Sequence, residues 1–451
     1  MKTIEIKDIL TQGTKLGKVS IRGWVKSNRD SGKIAFLEIN DGTTVSNLQI
    51  VYKQQLTKNF DEVITARTGS SILAIGDIKY NEKAEQKYEL IADEIKLLKQ
   101  ADVDYPLQKK QHTLEFLREN AHLRARTTTI AAIMRVRSRL AYAIHKFFQD
   151  NGFIWVASPI ITSNDAEGAG ENFDLVNHPT NPFFDKNAKL TVSGQLNAEA
   201  YAQAFRQVYT FGPTFRAERS HTNRHMSEFW MVEPEIAFID LKQLMLVIET
   251  FIKTITKDVA QNCPDEITFF EKNKPEIKKR LEALIKHEFK KIEYREAIEI
   301  LKKAIRDGHK FEISDIHFGM DLASEHERYI CENVFNAPTF LFNYPKLIKA
   351  FYMKANEDGE TVAACDLLVP GVGEIIGGSQ REDDYNKLLQ RCQEIKMDIT
   401  SIQWYLDLRK YGYHSSAGFG LGFERLIMYI LDLENIRDTI PFPRVEGALK
   451  F

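Results

Sequence analysis

Short apolar stretches with alternating polar positions dominate the first hundred residues. They occur at residues 19–25, 34–39, 48–52 and 71–75. Turn residues follow two of them, Asn40-Asp41-Gly42 after the second stretch and Gly76-Asp77 after the fourth. This pattern predicts short strands joined by turns, and about five such strands make a small barrel. We therefore expect residues 1–100 to form a β-barrel domain.

One predicted strand of this barrel places an aromatic side chain on the outside. Leu37 and Ile39 share the face expected to fill the barrel, so Phe36 lies on the opposite face. Gln49 is predicted on the same outer face of the next strand. An exposed aromatic ring can stack on an unpaired nucleic-acid base, and cover by a neighbouring loop is the alternative.

Beyond the barrel the pattern changes to helical spacing. Residues 101–130 are polar and basic and are expected to form a connector, followed by a larger domain over residues 131–451. Apolar residues from Ile133 to Ile144 recur on one helical face, and Asn151-Gly152 ends this predicted helix. Residues 241–325 are charged and helical in pattern, so we expect a helical insertion or a solvated face there.

Composition and charge exclude several classes of protein. The 451 residues are 43% hydrophobic and 27% charged, which is typical of a soluble globular protein of two or three domains. A formal net charge of -2 argues against a uniformly basic nucleic-acid-binding protein but allows a local basic face. The four cysteines form no CxxC pair, and no long apolar run or signal segment occurs. We therefore expect a cytoplasmic protein with no membrane partner.

Candidate chemistry first appears in a glycine-rich strand near the C-terminus. In residues 418–425, period-two alternation places Phe419 and Leu421 on one face and three glycines on the other, namely Gly418, Gly420 and Gly422. A face without side chains lets a flat ligand lie on the backbone. Arg425 follows where a helix is predicted to begin, and a cation opposes the helix dipole there. We expect Arg425 to hold an anionic or aromatic ligand.

A second segment reads as two strands around a polar loop, residues 215–218 and 228–235. Arg216 offers a cation for phosphate, Glu218 an acceptor for an amino group, and Phe229 a ring for stacking. His225 in the loop offers a further phosphate contact. The alternative is a cross-strand ion pair between Arg216 and Glu218.

A third segment combines carboxylates with glycines. Asp366 and Glu374 are suited to Mg²⁺, which binds one or two carboxylates together with phosphates, and Arg381 offers a two-pronged donor. A turn with surface charges is the alternative. The sequence contains neither the GxxxxGK[ST] phosphate loop nor the GxGxxG dinucleotide turn. The nucleotide site predicted by these segments is therefore of another kind.

Together these segments resemble the class II aminoacyl-tRNA synthetases. The helix ending at Gly152, with its following strand and Pro159, resembles motif 1, the dimer-interface element of that family. Residues 215–229 resemble motif 2, and residues 418–425 resemble motif 3. The barrel resembles the OB-fold anticodon domain of the aspartate/asparagine/lysine subgroup. The resemblance implies an α+β fold, with an OB-fold β-barrel before a catalytic domain built on a central antiparallel sheet flanked by helices, and a homodimer.

The resemblance also implies residue roles. Arg216 would bind the α-phosphate of ATP and stabilise charge during the reaction, Phe229 and Arg425 would enclose the adenine ring, and Asp366 and Glu374 would hold Mg²⁺. Glu218 would contact the adenine amino group and His225 the γ-phosphate. The remaining implied contacts are those to the amino acid, at Glu167, Ser193, Gln195, Glu233 and Arg381, and those to the anticodon, at Phe36, Gln49 and Arg29.

Within the subgroup the sequence is most similar to those of bacterial asparaginyl enzymes. This resemblance implies activation of L-asparagine with ATP and its transfer to tRNA(Asn). Aspartyl enzymes carry a lysine where Ala198 stands and an aspartate where Glu233 stands. The alternatives are an aspartyl enzyme of relaxed tRNA specificity, a synthetase-derived asparagine synthetase, and a non-catalytic RNA-binding relative.

Overall fold

The computed structural model describes residues 3–82, 86–164, 172–176, 180, 183–220 and 222–451. These residues divide into two compact units. The first contains residues 1–135 together with Phe451, and the second contains residues 136–450. In the described part of the chain, no helix is both long and apolar enough to cross a membrane.

The first unit is built on a closed five-stranded barrel with the strand order β1-β2-β3-β5-β4. The predicted barrel is therefore confirmed. Its strands are β1 Lys18–Asp30, β2 Ile34–Asn40, β3 Leu48–Lys53, β4 Ser71–Tyr80 and β5 Tyr88–Lys99. Its helices are α1 Ile6–Gln12, α2 Phe60–Val63, α3 Leu114–Glu119 and α4 Ala121–Arg124.

The barrel interior is filled as the alternation predicts. Leu37, Ile39, Leu48 and Ile50 are completely buried. The predicted turn at Gly76-Asp77 is wrong, because β4 continues through it to Tyr80. A bulge interrupts the β4–β5 pairing beside Gly76, and a side chain there would collide with the carbonyl of Ile91. The glycine therefore permits a close approach of two strands instead of a turn.

The second unit contains an eight-stranded sheet with the order β12-β13-β14-β15-β16-β11-β10-β6. Pairs inside this sheet are antiparallel, and the two outermost pairs, β12 with β13 and β10 with β6, are parallel. The strands are β6 Ile154–Trp155, β10 Gln207–Phe215, β11 Glu228–Ala237, β12 Lys290–Glu293, β13 Thr339–Pro345, β14 Thr361–Val369, β15 Gly373–Gln380 and β16 Ser416–Gly422. A small sheet contains β7 Ile161–Thr162, β8 Asp174–Leu175 and β9 Ala188–Leu190.

Helices pack around these strands. They are α5 Thr128–Asp150, α6 Gln195–Phe205, α7 Leu241–Asn262, α8 Pro264–Glu271, α9 Ile277–Lys286, α10 Tyr294–Arg306, α11 Ser324–Arg328, α12 Tyr385–Glu394, α13 Gln403–Asp407 and α14 Phe423–Leu431. The helix predicted before Gly152 is confirmed as α5, and Gly152 has a φ of 78° just beyond its end. A positive φ of this kind favours glycine after a helix.

The alternative of a solvated face for residues 241–325 is wrong. Helix α7 begins with a capping box between Asp240 and Gln243, and it buries an apolar face that includes Ile248 and Phe251. It packs on β14, β15 and β16, while β12 forms one edge of the large sheet. These elements bury apolar side chains against the large sheet, whereas the insertion itself stays a prediction.

Candidate active site

Two adjoining cavities lie on the face of the large sheet formed by β11, β15 and β16. The first is lined by residues from the β10–β11 connection and the start of α14, including Glu218, His225, Phe229 and Arg425. The second is lined by Ser193, Gln195, Glu233, Asp366 and Arg381, among others. Arg216, Met231, Glu374 and Gly420 line both cavities. The residues predicted to bind a nucleotide and an amino acid therefore meet in one cleft.

The glycine face of β16 is less open than predicted. A side chain at Gly418 would collide with the carboxylate of Glu235, and one at Gly420 would meet the methyl group of Met231. Glu235 therefore fills the space beside Gly418, while Gly420 and Gly422 line the first cavity. A flat ligand could reach the backbone at Gly422, and at Gly420 only where the Met231 methyl group moves aside.

Arg425 is the third residue of α14, at the start of that helix as predicted. Its Nη1 donates to the backbone oxygen of Glu374 at 3.1 Å. Its Nη2 lies 3.4 Å from Nε2 of His225. These contacts hold a half-buried cation at the rim of the first cavity, where a phosphate or an aromatic ring would meet it.

Arg216 and Glu218 do not lie on a strand as predicted, since β10 ends at Phe215. The Arg216 backbone N–H still donates to the oxygen of Ser227 at 3.0 Å, so the hairpin stays narrow at that point. The Arg216 guanidinium carbon lies 5.5 Å from the centre of the Phe229 ring. The cation and the ring predicted to act on one ligand are therefore neighbours.

His225 is placed by its own loop. Its Nδ1 lies 2.5 Å from the Thr222 hydroxyl oxygen and 3.1 Å from that of Ser220. Burial and the nearby Arg425 cation lower the pKa of His225. A neutral imidazole can accept a hydrogen bond from Arg425 through Nε2.

Asp366 and Glu374 converge over Gly377. A side-chain carbon at Gly377 would lie 3.4 Å from Oδ1 of Asp366 and 3.1 Å from Oε1 of Glu374. Oδ2 of Asp366 accepts a hydrogen bond from Nζ of Lys349 at 2.6 Å. Among the described residues, no group of three or more His, Cys, Asp or Glu side chains is arranged to hold a metal ion. Two carboxylate oxygens nevertheless suit Mg²⁺ that also binds phosphate oxygens.

A third carboxylate, Glu327 of α11, approaches this pair. Its Oε2 accepts the backbone N–H of Glu374 at 3.3 Å. Burial and the Glu374 and Asp366 carboxylates raise the pKa of Glu327 to about 7. Arg224, which contacts Ser324 of the same helix and the backbone oxygen of Val372, counters part of that rise.

Glu233 is buried in the second cavity and accepts three hydrogen bonds. The donors are the Ser193 hydroxyl at 2.5 Å, the Gly194 backbone N–H at 2.9 Å and the Thr210 hydroxyl at 2.8 Å. All three donors are neutral groups. The Ser193 hydroxyl thus donates its hydrogen bond to Glu233, so its oxygen could contact a ligand only as an acceptor.

Gln195 begins α6 and is almost completely buried. Its backbone N–H donates to the Ser193 hydroxyl oxygen at 3.1 Å. Its side-chain Nε2 is buried and has no hydrogen-bond partner among the described residues. A buried amide that lines a cavity without a partner indicates a place for a polar ligand group.

Arg381 is paired in a way that the sequence did not predict. Its Nε donates to Oε2 of Glu235 at 3.1 Å, and its Nη2 donates to the other oxygen of that carboxylate. Nη1 donates to the Ser379 hydroxyl at 2.6 Å. Although burial opposes the charged form, the Glu235 carboxylate raises the pKa of Arg381. Arg381 therefore lines the second cavity while it is paired with Glu235 in a buried ion pair.

On the barrel, Phe36 is half-buried instead of fully exposed. The Arg29 guanidinium carbon lies 5.7 Å from the centre of the Phe36 ring, and the two residues are partners in the β1–β2 pairing. Gln49 on β3 donates to Oε2 of Glu89 at 3.2 Å. The three residues predicted to contact an anticodon thus come from adjacent strands.

One predicted site residue, Glu167, lies outside the described residues. The sequence reasoning missed Lys349 and Glu327 as neighbours of the site, and it missed the pairing of Glu235 with Arg381. Glu235 had a signal, because it shares a strand face with Glu233. Lys349 and Glu327 come from a turn and a short helix distant in sequence, and no spacing pattern connects them to the site.

Comparison with known proteins agrees with this architecture. Residues 113–446 match the family described as tRNA synthetases class II (D, K and N), and residues 19–98 match the OB-fold nucleic acid binding domain. The chain is 56% identical to the asparagine–tRNA ligase of Malacoplasma penetrans over 453 residues, covering 100% of both chains. It is 53% identical to that of Ureaplasma urealyticum, covering 99% of this chain and 100% of the relative.

Solved structures extend the likeness to the whole fold. The asparaginyl-tRNA synthetase from Pyrococcus horikoshii, complexed with asparaginyl-adenylate, has a TM-score of 0.90 at 35% identity and covers 100% of this chain and 99% of its own. The Entamoeba histolytica enzyme, also in complex with asparaginyl-adenylate, has a TM-score of 0.86 at 25% identity, with 100% of both chains covered. The chain therefore belongs to the class II tRNA synthetases of the D, K and N group, among its asparaginyl members.

Proposed function

We propose that the protein ligates L-asparagine to tRNA(Asn) in two steps, and that both steps occur in the cleft described above. The observation that carries the proposal is the shared lining of the two cavities. Arg216 borders both the cavity that contains Phe229 and Arg425 and the cavity that contains Glu233 and Arg381. A nucleotide in the first and an amino acid in the second would place their reacting groups beside this arginine.

In the first step an asparagine carboxylate oxygen attacks the α-phosphorus of ATP. The bond from that phosphorus to the bridging oxygen breaks, and pyrophosphate leaves. Arg216 would bind the α-phosphate and stabilise the charge that develops on it. In the second step a hydroxyl of the terminal tRNA ribose attacks the carbonyl carbon, and AMP leaves. Positioning and electrostatics supply the rate, so no side chain has to act as a nucleophile.

The first cavity offers a contact for each part of the nucleotide. Phe229 and Arg425 would enclose the adenine ring, with Glu218 accepting from its amino group. His225 would donate to the γ-phosphate from Nε2, which requires a proton on that nitrogen in place of the contact it now accepts from Arg425. ATP binding would therefore replace the contact between His225 and Arg425 by contacts to the ligand.

The carboxylates of Asp366 and Glu374 fit Mg²⁺ as hard oxygen ligands on one side of the phosphates. Oδ1 of Asp366 and Oε1 of Glu374 are the two oxygens that meet over Gly377. Bound there, the ion would neutralise phosphate charge and assist the departure of pyrophosphate. Lys349 holds the other oxygen of Asp366 and so orients the carboxylate.

The second cavity would hold the amino acid. Gln195, with Ser193 and Glu167, would receive its ammonium group, and the acceptor on Gln195 would be Oε1 of its side-chain amide. Glu233 would accept from the side-chain amide NH₂ while Arg381 donates to the amide oxygen. The NH₂ and the oxygen of the asparagine side-chain amide would then be recognised separately, the first by an acceptor and the second by a donor.

Aspartate would be rejected by charge. Its second carboxylate would face Glu233, and the charge of Arg381 is already compensated by Glu235. Ala198 is buried and supplies no cation. A site that pairs a substrate NH₂ can reject an analogue lacking it by about 10⁴-fold, so a separate editing site is not needed.

The anticodon would bind on the barrel face that carries Phe36, Arg29 and Gln49, with a base stacked on the Phe36 ring. A homodimer is proposed through the second unit, because exposed apolar side chains gather on α5, β6 and α6, namely Tyr142, Ile154, Trp155, Tyr201 and Phe205. Cytoplasmic location is part of the same proposal.

Pyrophosphate exchange with each amino acid tests the proposal. We expect ATP–pyrophosphate exchange that depends on asparagine and is far weaker with aspartate. Charging of tRNA(Asn) is the second readout, with free asparagine analysed in parallel. A preference for aspartate, or formation of free asparagine without charged tRNA, would reject this function in favour of an aspartyl enzyme or an asparagine synthetase.

A further inference from the structure

A second buried ion pair lies behind the Arg381–Glu235 pair. Glu199 of α6 and Arg409 are both inaccessible in their side chains, with an Nη2 to Oε1 distance of 2.6 Å. The same Glu199 oxygen accepts the Tyr413 hydroxyl at 2.6 Å, and the other accepts the Tyr405 hydroxyl at 2.7 Å. Three donors therefore hold one carboxylate in the core of the unit.

Such a network is expensive to bury, and an apolar cluster of similar volume often stabilises a core as well or better. Stability alone thus gives no reason for charges at this place. Glu199 has none of its surface exposed and lines neither cavity of the site. Any effect on substrate must therefore pass through neighbouring groups.

Hydrogen bonds connect this network to the backbone on both sides of the Arg381 side chain. The Tyr413 and Ser416 hydroxyl oxygens are 2.5 Å apart, and the Ser416 backbone oxygen accepts the Arg381 N–H at 2.8 Å. On the other side, Arg409 Nε donates to the backbone oxygen of Glu382 at 2.9 Å. The peptide group before Arg381 and the one after Glu382 are thereby attached to Glu199 and its partners.

The guanidinium of Arg381 retains donors for a ligand. An arginine has five N–H groups, and Glu235 and Ser379 take three of them here. The remaining two belong to Nη1 and Nη2. Their direction depends on the backbone position and on the Glu235 pair, so a small shift of residue 381 would misalign both.

We propose that Glu199 is a positioning residue for amino-acid recognition, acting through Tyr413 and Ser416 on Arg381. Glu199 holds the Tyr413 hydroxyl, that hydroxyl holds Ser416, and Ser416 fixes the strand from which Arg381 reaches the asparagine side chain. This role rests on the proposed function of the second cavity and adds to it a set of residues that never touch the substrate.

The chain offers a matched pair of variants for the test. Tyr413→Phe and Tyr405→Phe each remove one buried hydroxyl that donates to Glu199, and both rings also lie over the Arg409 guanidinium, at 4.1 and 4.2 Å. Only Tyr413 contacts Ser416. The Tyr405 hydroxyl also accepts from Arg409 Nη2 at 3.0 Å, so a merely structural role would make Tyr405→Phe at least as damaging as Tyr413→Phe.

Pyrophosphate exchange with the full-length protein is the measurement. We expect Tyr413→Phe to raise the KM for asparagine about three- to ten-fold while the KM for ATP stays within about two-fold of wild type. Tyr405→Phe should change neither constant by more than about two-fold. Glu199→Gln should reproduce the asparagine-specific effect more strongly, since it also leaves Arg409 without its carboxylate.

Equal effects in the two tyrosine variants, or a parallel rise in both KM values, would overturn the proposal. Melting temperatures of all variants separate a folding defect from a binding defect. Wild-type protein without asparagine-dependent exchange would reject the proposed function itself. Active wild-type protein with an unaffected Tyr413→Phe variant would reject only the positioning role.

Discussion

Glu233 lines the second cavity and accepts three hydrogen bonds from neutral donors. These donors belong to Ser193, Gly194 and Thr210. These donors orient the carboxylate without cancelling its charge. The nearest recognition partner, Arg381, is itself compensated by Glu235. Under the proposed function, the electrostatic balance at this one residue would decide between an amide and a carboxylate in the substrate.

Replacing Glu233 by glutamine should remove this discrimination. The neutral amide no longer repels aspartate and is a poorer acceptor for the asparagine NH₂. In Glu233→Gln we expect kcat/KM for asparagine to fall about 100-fold and the ratio of asparagine to aspartate activation to fall with it. Exchange assays with both amino acids measure this, with the KM for ATP as the control. An unchanged ratio would contradict the role given to Glu233.

The lowered pKa of His225 predicts that the folded protein without bound nucleotide is less stable at acid pH. Burial and Arg425 lower its pKa in the folded state, so the unfolded chain takes up a proton at a higher pH than the folded protein. Stability should therefore decline as pH falls through the ordinary histidine pKa of about 6.5.

Thermal unfolding of wild type and His225→Asn between about pH 8 and pH 5 checks this expectation. The variant should lose less of its melting temperature on acidification than wild type. Burial also lowers the pKa of His145, so part of the acid dependence should remain in the variant. Curves that fall in parallel would show that His225 is not responsible.

At the scale of elements, strand β16 shows how far the sequence could predict the site. Alternation correctly predicted its glycine face, and the helical spacing after it correctly predicted that a helix begins near Arg425. It could not predict that Glu235 of the neighbouring strand fills the space beside Gly418, because that contact depends on the pairing of β11 with β16. Local pattern determines which face a residue lies on, whereas register determines what it meets.

The same distinction explains the other differences. The helical spacing of α7 was visible, but its burial depends on packing against strands more than a hundred residues later in the chain. The end of β10 at Phe215 places Arg216 and Glu218 in a connection, although their residue types still indicated phosphate and amino-group contacts. The grouping of the candidate residues around one cleft was thus predicted better than their backbone conformation or their other neighbours.

Gly418 gives a test at this scale. A methyl group in Gly418→Ala would collide with the Glu235 carboxylate and disturb its pair with Arg381. We expect a loss of about 1–3 kcal/mol in the free energy of unfolding and a raised KM for asparagine. Gly212→Ala, on β10 of the same sheet, is the matched control, because no atom lies within 4 Å of the position of its new methyl group. Similar losses in both variants would argue against a specific contact with Glu235.

At the scale of the whole molecule, the two compact units carry separate parts of the proposed reaction. The cleft for ATP and asparagine lies in the second unit, and the Phe36 face lies in the barrel of the first. With a formal net charge of -2, the chain has no overall attraction for a polyanion. Recognition of tRNA therefore depends on local contacts such as base stacking, and these should be separable from amino-acid activation.

Phe36→Leu tests this separation while keeping an apolar side chain. Loss of stacking on one base costs about 1–3 kcal/mol, so kcat/KM for tRNA charging should fall about 5- to 140-fold. Asparagine-dependent pyrophosphate exchange without tRNA should stay at the wild-type level. Because no cationic contact to phosphate is removed, the salt dependence of tRNA binding should also keep its slope.

The control for this variant is Tyr80→Leu, which changes an exposed aromatic residue at the end of β4 in the same barrel. It should charge tRNA as wild type does, because aromatic surface as such is not what binds the anticodon. Equal charging by Phe36→Leu and Tyr80→Leu would place the anticodon elsewhere on the first unit. A fall in exchange activity with Phe36→Leu would instead show that the barrel contributes to activation even without tRNA, since the leucine changes nothing within the cleft itself.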